Sequence, residues 1–156
     1  MEDGANSISR EERSFTDLVN DCVNDVMVRY PQRSFKKEVG DNIYINGDLL
    51  MLQMAVNNLI DNAIKYSPKE SFITVLLNQQ DKHITLVVKD EGKGIDTAEK
   101  KKVFDKFYRI GNTATKGAKG TGLGLFLTKK IAVQHHAEIF VTDNKPTGSN
   151  FTIVFS

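Results

Sequence analysis

The sequence predicts an α+β domain with helices on one face of a mixed or antiparallel sheet. Three observations carry this. Leu49 to Tyr66 and Leu123 to Gln134 repeat apolar residues at helical spacing. Short runs rich in Ile, Val and Thr, above all Phe72–Leu77 and His83–Lys89, have the length and composition of strands. The order helix, strands, helix, hairpin, helix, strands groups strands in pairs instead of alternating them singly with helices. With 156 residues, the chain is long enough for one domain with a proper core and too short for two ordinary ones.

The elements follow in order. Residues 1–13 are polar and lack periodicity, so they read as a linker or frayed end, with the domain proper at 14–156. Ser14 can cap a helix over Phe15 to Val28 whose apolar side holds Phe15, Leu18, Val19, Cys22, Val23 and Val26, and Tyr30-Pro31 stops it. Ser34 to Val39 and Ile43 to Asn46 read as short strands joined by the turn Gly40-Asp41-Asn42. Asp48 caps the central helix, which Ser67-Pro68 closes. The Phe72 and His83 strands make a hairpin through Asn78 to Lys82. Asp96-Thr97 can cap a short helix ending near Phe104. Tyr108 to Gly120 loses periodicity altogether, and a loop of that length inside a domain is usually functional or mobile. After the Leu123 helix, Glu138 to Thr142 and Asn150 to Phe155 close the chain as strands around the turn D-N-K-P-T-G.

Composition narrows the function classes. Hydrophobic residues make up 40% and charged residues 26%, as in soluble globular proteins. A formal net charge of +1 lacks the basic excess of a nucleic-acid binder, so no nucleic acid partner is expected. The lone cysteine, Cys22, excludes an internal disulfide and fits a reducing compartment; its place on an apolar helix face makes it a structural thiol. No run approaches the roughly 18 apolar residues of a membrane span, and the N-terminus has no signal-peptide core. A cytoplasmic, soluble chain without membrane contact is therefore expected, although a longer parent can cross a membrane elsewhere.

Four stretches carry chemistry. In the central helix, at about 100° per residue, Asn58 at zero puts Asn62 near ~40° and Lys65 near ~−20°. Leu52, Ala55, Val56, Leu59, Ile60 and Ala63 form the core-facing stripe. Asn is a poor helix former, and two on one face beside a lysine suit an oxygen ligand for Mg²⁺ and a phosphate contact, or else a solvated face. Asp90, followed by Gly92 and Gly94, stands at a strand end. A buried carboxylate there can accept from an exocyclic amine while glycines let backbone approach a flat ligand, and a plain tight turn fits as well. Gly120 to Leu125, G-T-G-L-G-L, presents free N–H groups before a helix, as an anion site or a hinge. It is neither the dinucleotide fingerprint nor a Walker A loop. Phe104 to Arg109 places aromatics and cations before the glycine-rich loop, with Phe104 and Phe107 as apolar anchors and Arg109 able to reach a phosphate; a helix end with core aromatics is the alternative. His83, His135 and His136 lack metal-ligand spacing, and Lys100 to Lys102 read as a solvated face.

Together and in order, these segments resemble the ATP-binding catalytic domain of bacterial sensor histidine kinases: its N box (Asn58 to Pro68), G1 box (Asp90 to Ile95), F box (Phe104 to Arg109) and G2 box (Gly120 to Leu125). The likeness covers roughly Phe15 to the C-terminus. It implies a two-layer α/β sandwich, a mixed and mostly antiparallel five-stranded sheet under about three helices, with a mobile lid. The superfamily includes gyrase, the heat-shock chaperone ATPases and mismatch-repair proteins. By the resemblance, Asn62 ligates Mg²⁺ with Asn58 beside the same phosphates, and Lys65 and Tyr66 contact the phosphate and nucleotide side. Asp90 receives the adenine amine in a pocket shaped by Gly92, Gly94 and Ile95. Tyr108 and Arg109 lie over the nucleotide, and the stretch Gly120, Thr121, Gly122, Leu123, Gly124 and Leu125 cradles phosphates as the lid closes. Catalytic roles would fall to Asn58, Lys65 and Arg109.

Two departures qualify this. The family's phosphoacceptor motif, a histidine followed by an acidic residue and Thr-Pro, is absent, and none of the three histidines has that context. The implied partners are thus a phosphoacceptor histidine domain elsewhere and, indirectly, a response regulator, the fragment itself being monomeric. His135-His136-Ala137 also stands where relatives often have His-Gly-Gly. Within the superfamily, ATPases carry a glutamate one turn before the metal-binding asparagine, as general base for the attacking water. Asn58 occupies that position and cannot take a proton, which favours phosphoryl transfer over hydrolysis. An ATPase, a serine kinase and a catalytically silent nucleotide-binding module remain the alternatives.

Overall fold

The computed structural model describes residues 11–108 and 123–156. Three α-helices pack on a five-stranded sheet. Helix α1 (Phe15–Arg29) starts at Ser14, whose Oγ accepts from the Asp17 N–H at 3.1 Å, and buries the six predicted apolar residues together with Thr16. Helix α2 (Leu49–Tyr66) starts at Asp48, whose Oδ1 accepts from the Met51 N–H at 3.2 Å. Its buried residues are the predicted stripe, Leu52, Ala55, Val56, Leu59, Ile60 and Ala63. At the other end, Arg33 donates to the carbonyls of Ile64 and Pro68 and to Ser67 Oγ. That cation satisfies the Ile64 carbonyl in the last turn of the helix. Helix α3 covers Gly124–Gln134.

The main sheet has the order β2 (Ser34–Val39), β4 (Phe72–Gln80), β5 (His83–Lys89), β7 (Ser149–Phe155), β6 (Ala137–Asp143). Only β2 and β4 are parallel; the other three pairings are antiparallel. Alternate residues, Ile73, Val75 and Leu77 on β4, Ile84, Leu86 and Val88 on β5, and Phe151, Ile153 and Phe155 on β7, are buried in one core with the helix stripes. Phe15 of α1 meets Phe155 edge-on, with ring centroids 5.4 Å apart.

Four local expectations change. Glu11–Ser14, most of it assigned to the polar linker, forms strand β1 and pairs antiparallel with β3 (Tyr44–Gly47) in a separate two-stranded sheet. Backbone pairing alone holds so polar a strand, and hydrophobic periodicity has nothing to detect there. Strands β2 and β3 consequently are not partners. Gly40 to Asn42 carries the chain from one sheet to the other, held by Gly40 N–H to Leu77 O at 2.8 Å and Thr16 Oγ1 to Gly40 O at 2.7 Å. Strand β4 runs on to Gln80, so the hairpin connection shrinks to Asp81-Lys82, with Asp81 at φ 57°. Finally, the expected helix before Phe104 is two 3₁₀ turns, Thr97–Glu99 and Lys102–Phe104, and Asp96 makes no side-chain cap. Its only buried residues, Val103 and Phe104, are adjacent, so no helical stripe exists to sustain a longer α-helix.

Candidate nucleotide site

Asp90 sits where β5 ends beside β7. Its N–H bonds Ser149 O at 2.9 Å, and its Oδ1 accepts from the N–H groups of Gly92 at 2.9 Å and Ser149 at 3.3 Å. Only 3% of the residue is exposed. Burial raises the carboxyl pKa, and the two backbone N–H bonds pull it partly back. Both bonds fall on Oδ1, which leaves Oδ2 as the acceptor for a donor arriving from outside. Gly92 is required by proximity: a Cβ there would lie 2.2 Å from Tyr66 O, the end of α2. The loop therefore packs directly on the helix that carries Asn58 and Asn62.

A small pocket forms at that junction. Asn62, Tyr66, Asp90, Gly94 and Ile95 line it, together with Lys93, Ser149 and Phe151. Five of the sequence-predicted residues thus converge, and Gly92 packs against Tyr66 O in the same loop. Phe151 is itself backed by Phe104, edge-on at 6.1 Å between centroids, which ties the F-box aromatic to the pocket floor. Asn58 lies one turn earlier on α2, and its Nδ2 donates to Gly124 O at 3.3 Å, where Thr128 Oγ1 also donates at 2.8 Å. The start of α3 is consequently fastened to the asparagine face of α2. Helices α1 and α2 have polar side-chain caps, whereas α3 begins at Leu123, which supplies none. First-turn N–H groups without a side-chain acceptor suit an anion.

Other predicted residues lie apart. Lys65 is exposed, with its Nζ 5.2 Å from the Tyr66 ring centroid, and borders a neighbouring groove with Arg29, Arg33 and Lys69. Tyr108 packs on the core with its buried hydroxyl lacking a partner among the described residues, and Leu125 also packs on the core. Phe104 is buried against Phe151, but Phe107, at φ 66° and 60% exposed, points outward. Arg109, Gly120, Thr121 and Gly122, with the loop from 109 to 122, lie outside the described residues. Sequence reasoning missed Ser149, Phe151 and Lys93. Register alone brings Ser149 beside Asp90, and no local signal marks it. His135 proves structural: Nδ1 bonds Ile131 O at 2.8 Å and Nε2 accepts from the Asp48 N–H at 3.0 Å.

The donors fit a purine nucleotide with a divalent cation. One carboxylate oxygen without a hydrogen bond from the described residues suits an exocyclic amine, and glycine-lined backbone suits a flat ring. A single amide oxygen, from Asn62, suits Mg²⁺, which takes few protein ligands and keeps waters and phosphate oxygens. Among the described residues no His, Cys, Asp and Glu cluster could hold a metal by itself.

Comparison with known proteins agrees with this geometry. Residues 47–156 match the family described as histidine kinase-, DNA gyrase B- and HSP90-like ATPase, and the chain belongs to that family. Within it, the chain is similar to the catalytic domains of bacterial sensor histidine kinases. It is 41% identical over 106 residues to the sensor protein CiaH of Streptococcus pneumoniae, covering 68% of this chain and 24% of that protein. It is 43% identical over 112 residues to the signal transduction histidine-protein kinase/phosphatase MprB of Mycobacterium sp. (strain KMS), covering 71% and 21%. The solved structure of a mycobacterial sensor histidine kinase MprB superposes with a TM-score of 0.83 at 31% identity, over 94% of this chain and 97% of that one. The chain spans less than a quarter of the length of these two curated relatives. No helix among the described residues is long and apolar enough to cross a membrane.

Proposed function

We propose that the chain binds Mg-ATP and passes the γ-phosphoryl group to a histidine on a separate phosphoacceptor domain, within a two-component signalling pathway. The observation that carries this is Asn58. It stands one helical turn before Asn62, and its amide is fastened to Gly124 O, so the position where the superfamily's hydrolases need a base holds a group that cannot accept a proton. Water is then not activated, and the phosphoryl group awaits a better nucleophile.

In this reading Asp90 Oδ2 accepts the adenine amine, and Gly92 and Gly94 let the base lie against backbone. Asn62 offers its amide oxygen to Mg²⁺, which when bound neutralises and orients the phosphates. The start of α3 donates N–H groups to the phosphate tail. Lys65, Tyr108 and Arg109 approach the nucleotide, and the backbone of Gly120, Thr121, Gly122, Leu123, Gly124 and Leu125 cradles its phosphates. The sandwich, carrying no acceptor histidine in the family's context, works on a histidine supplied by another domain, and a response regulator is the onward recipient.

Incubating the chain with γ-labelled ATP and a separately made phosphoacceptor domain tests this. Acid-labile, alkali-stable label on the acceptor is expected. Steady hydrolysis of ATP by the chain alone, abolished by one site substitution, would overturn the assignment.

A further inference from the structure

We propose that the turn between β6 and β7 sets the base specificity of this pocket, with Asn144 and Thr147 as positioning residues for Asp90. The inference rests on the reading that Asp90 receives the adenine amine. Residues 90–95 form no helix or strand, and their carbonyls are held from outside by side chains. Asn144 Nδ2 donates to Asp90 O at 2.9 Å, and Thr147 Oγ1 donates to Gly92 O at 2.7 Å. Lys100 Nζ donates to Ile95 O at 2.9 Å while pairing with Asp143 at 2.9 Å, at the end of β6.

The turn is itself closed by hydrogen bonds. Asn144 N–H bonds Gly148 O at 3.0 Å, and Asn144 Oδ1 accepts from the Lys145 N–H at 2.8 Å. Gly148, at φ 110°, lies so near the loop that a Cβ would sit 1.9 Å from Asp90 O. Turn and loop therefore touch from Asp90 to Gly94, and a groove on their far side is lined by both. A two-glycine loop free of these bonds would sample many backbone states, each aiming Oδ2 differently. Held by Asn144 and Thr147, Asp90 presents one acceptor in one direction, which is what distinguishes an amine donor from a keto oxygen at the same ring position.

Isothermal titration of ADP, GDP and inorganic tripolyphosphate, all with Mg²⁺, tests the proposal on the whole chain. Asn144→Ala and Thr147→Val should each cut the ADP-over-GDP preference by about fivefold, the scale of one hydrogen bond. Tripolyphosphate affinity should not change, and Thr147→Ser should keep the wild-type preference. Thr147→Val preserves shape, so it reports the bond even if Asn144→Ala unfolds. An unaltered preference in Thr147→Val overturns the proposal, as does an equal loss for all three ligands, which marks a merely structural role. If the wild-type chain shows no adenine preference, or Asp90→Asn leaves it intact, the reading of Asp90 fails and the proposal falls with it.

Discussion

Asp90 is kept in the pocket at a cost to stability. Burial holds its carboxyl pKa above the ordinary 3.8, so between those two values the folded chain retains a proton that the unfolded chain releases. Its contribution to stability falls as pH rises through that window, and the ionised carboxylate costs stability above it. Asp90→Asn should leave the melting temperature at pH 7 unchanged or higher, while weakening adenine nucleotide binding by roughly 10-fold or more, the loss of a charged hydrogen bond. Calorimetry and titration on the same variant check both halves. Cys22 gives a cleaner residue-scale test. Burial, reinforced by Asp21 and Asp25, pushes its thiol up to about 11. It should resist alkylation at pH 8 in the native chain and react once denaturant unfolds it.

At the scale of elements, two contacts carry disproportionate weight. The β6–β7 turn needs a glycine at 148, where the backbone is left-handed and touches Asp90 O. Gly148→Ala should cost more than about 2 kcal/mol, readable as a shift in urea midpoint, because neither the conformation nor the gap admits a methyl group. His135, the residue that ends α3, is tied to the N–H of Asp48, the cap of α2, with Gly47 packed so close that a Cβ there would lie 2.8 Å from the ring. His135→Ala removes that bond and opens a void, and a loss of about 2 kcal/mol is expected by the same measurement. Since α2 and α3 also meet at Asn58 and Gly124, this tie keeps the two helices at the spacing the nucleotide site requires.

For the whole molecule, strand β1 matters more than its composition suggests. A chain beginning at Phe15 loses both the β1–β3 ladder and the Ser14 cap of α1, and it should melt at a lower temperature, the cap alone being worth about 1 kcal/mol. How much of the molecule could be read beforehand follows the range of the forces involved. Helices α1 and α2 were legible because caps and apolar stripes are local; so were Asn62 and Asp90, because their residue types are costly without a purpose. The partnership of β1 with β3 and the approach of Ser149 to Asp90 depend on pairings across distant sequence, which no periodicity encodes.

The sheet order carries a consequence for synthesis. Strand β7 follows every other described strand in the sequence, yet it lies between β5 and β6 and supplies Ser149 and Phe151 to the pocket. A nascent chain emerging from the ribosome can make the β4–β5 hairpin and α2 early, but neither the sheet nor the nucleotide pocket closes until the final strand has slotted in. Nucleotide capture therefore reports that the domain has been finished, and a product cut short before Ser149 would be both half-folded and blind to nucleotide.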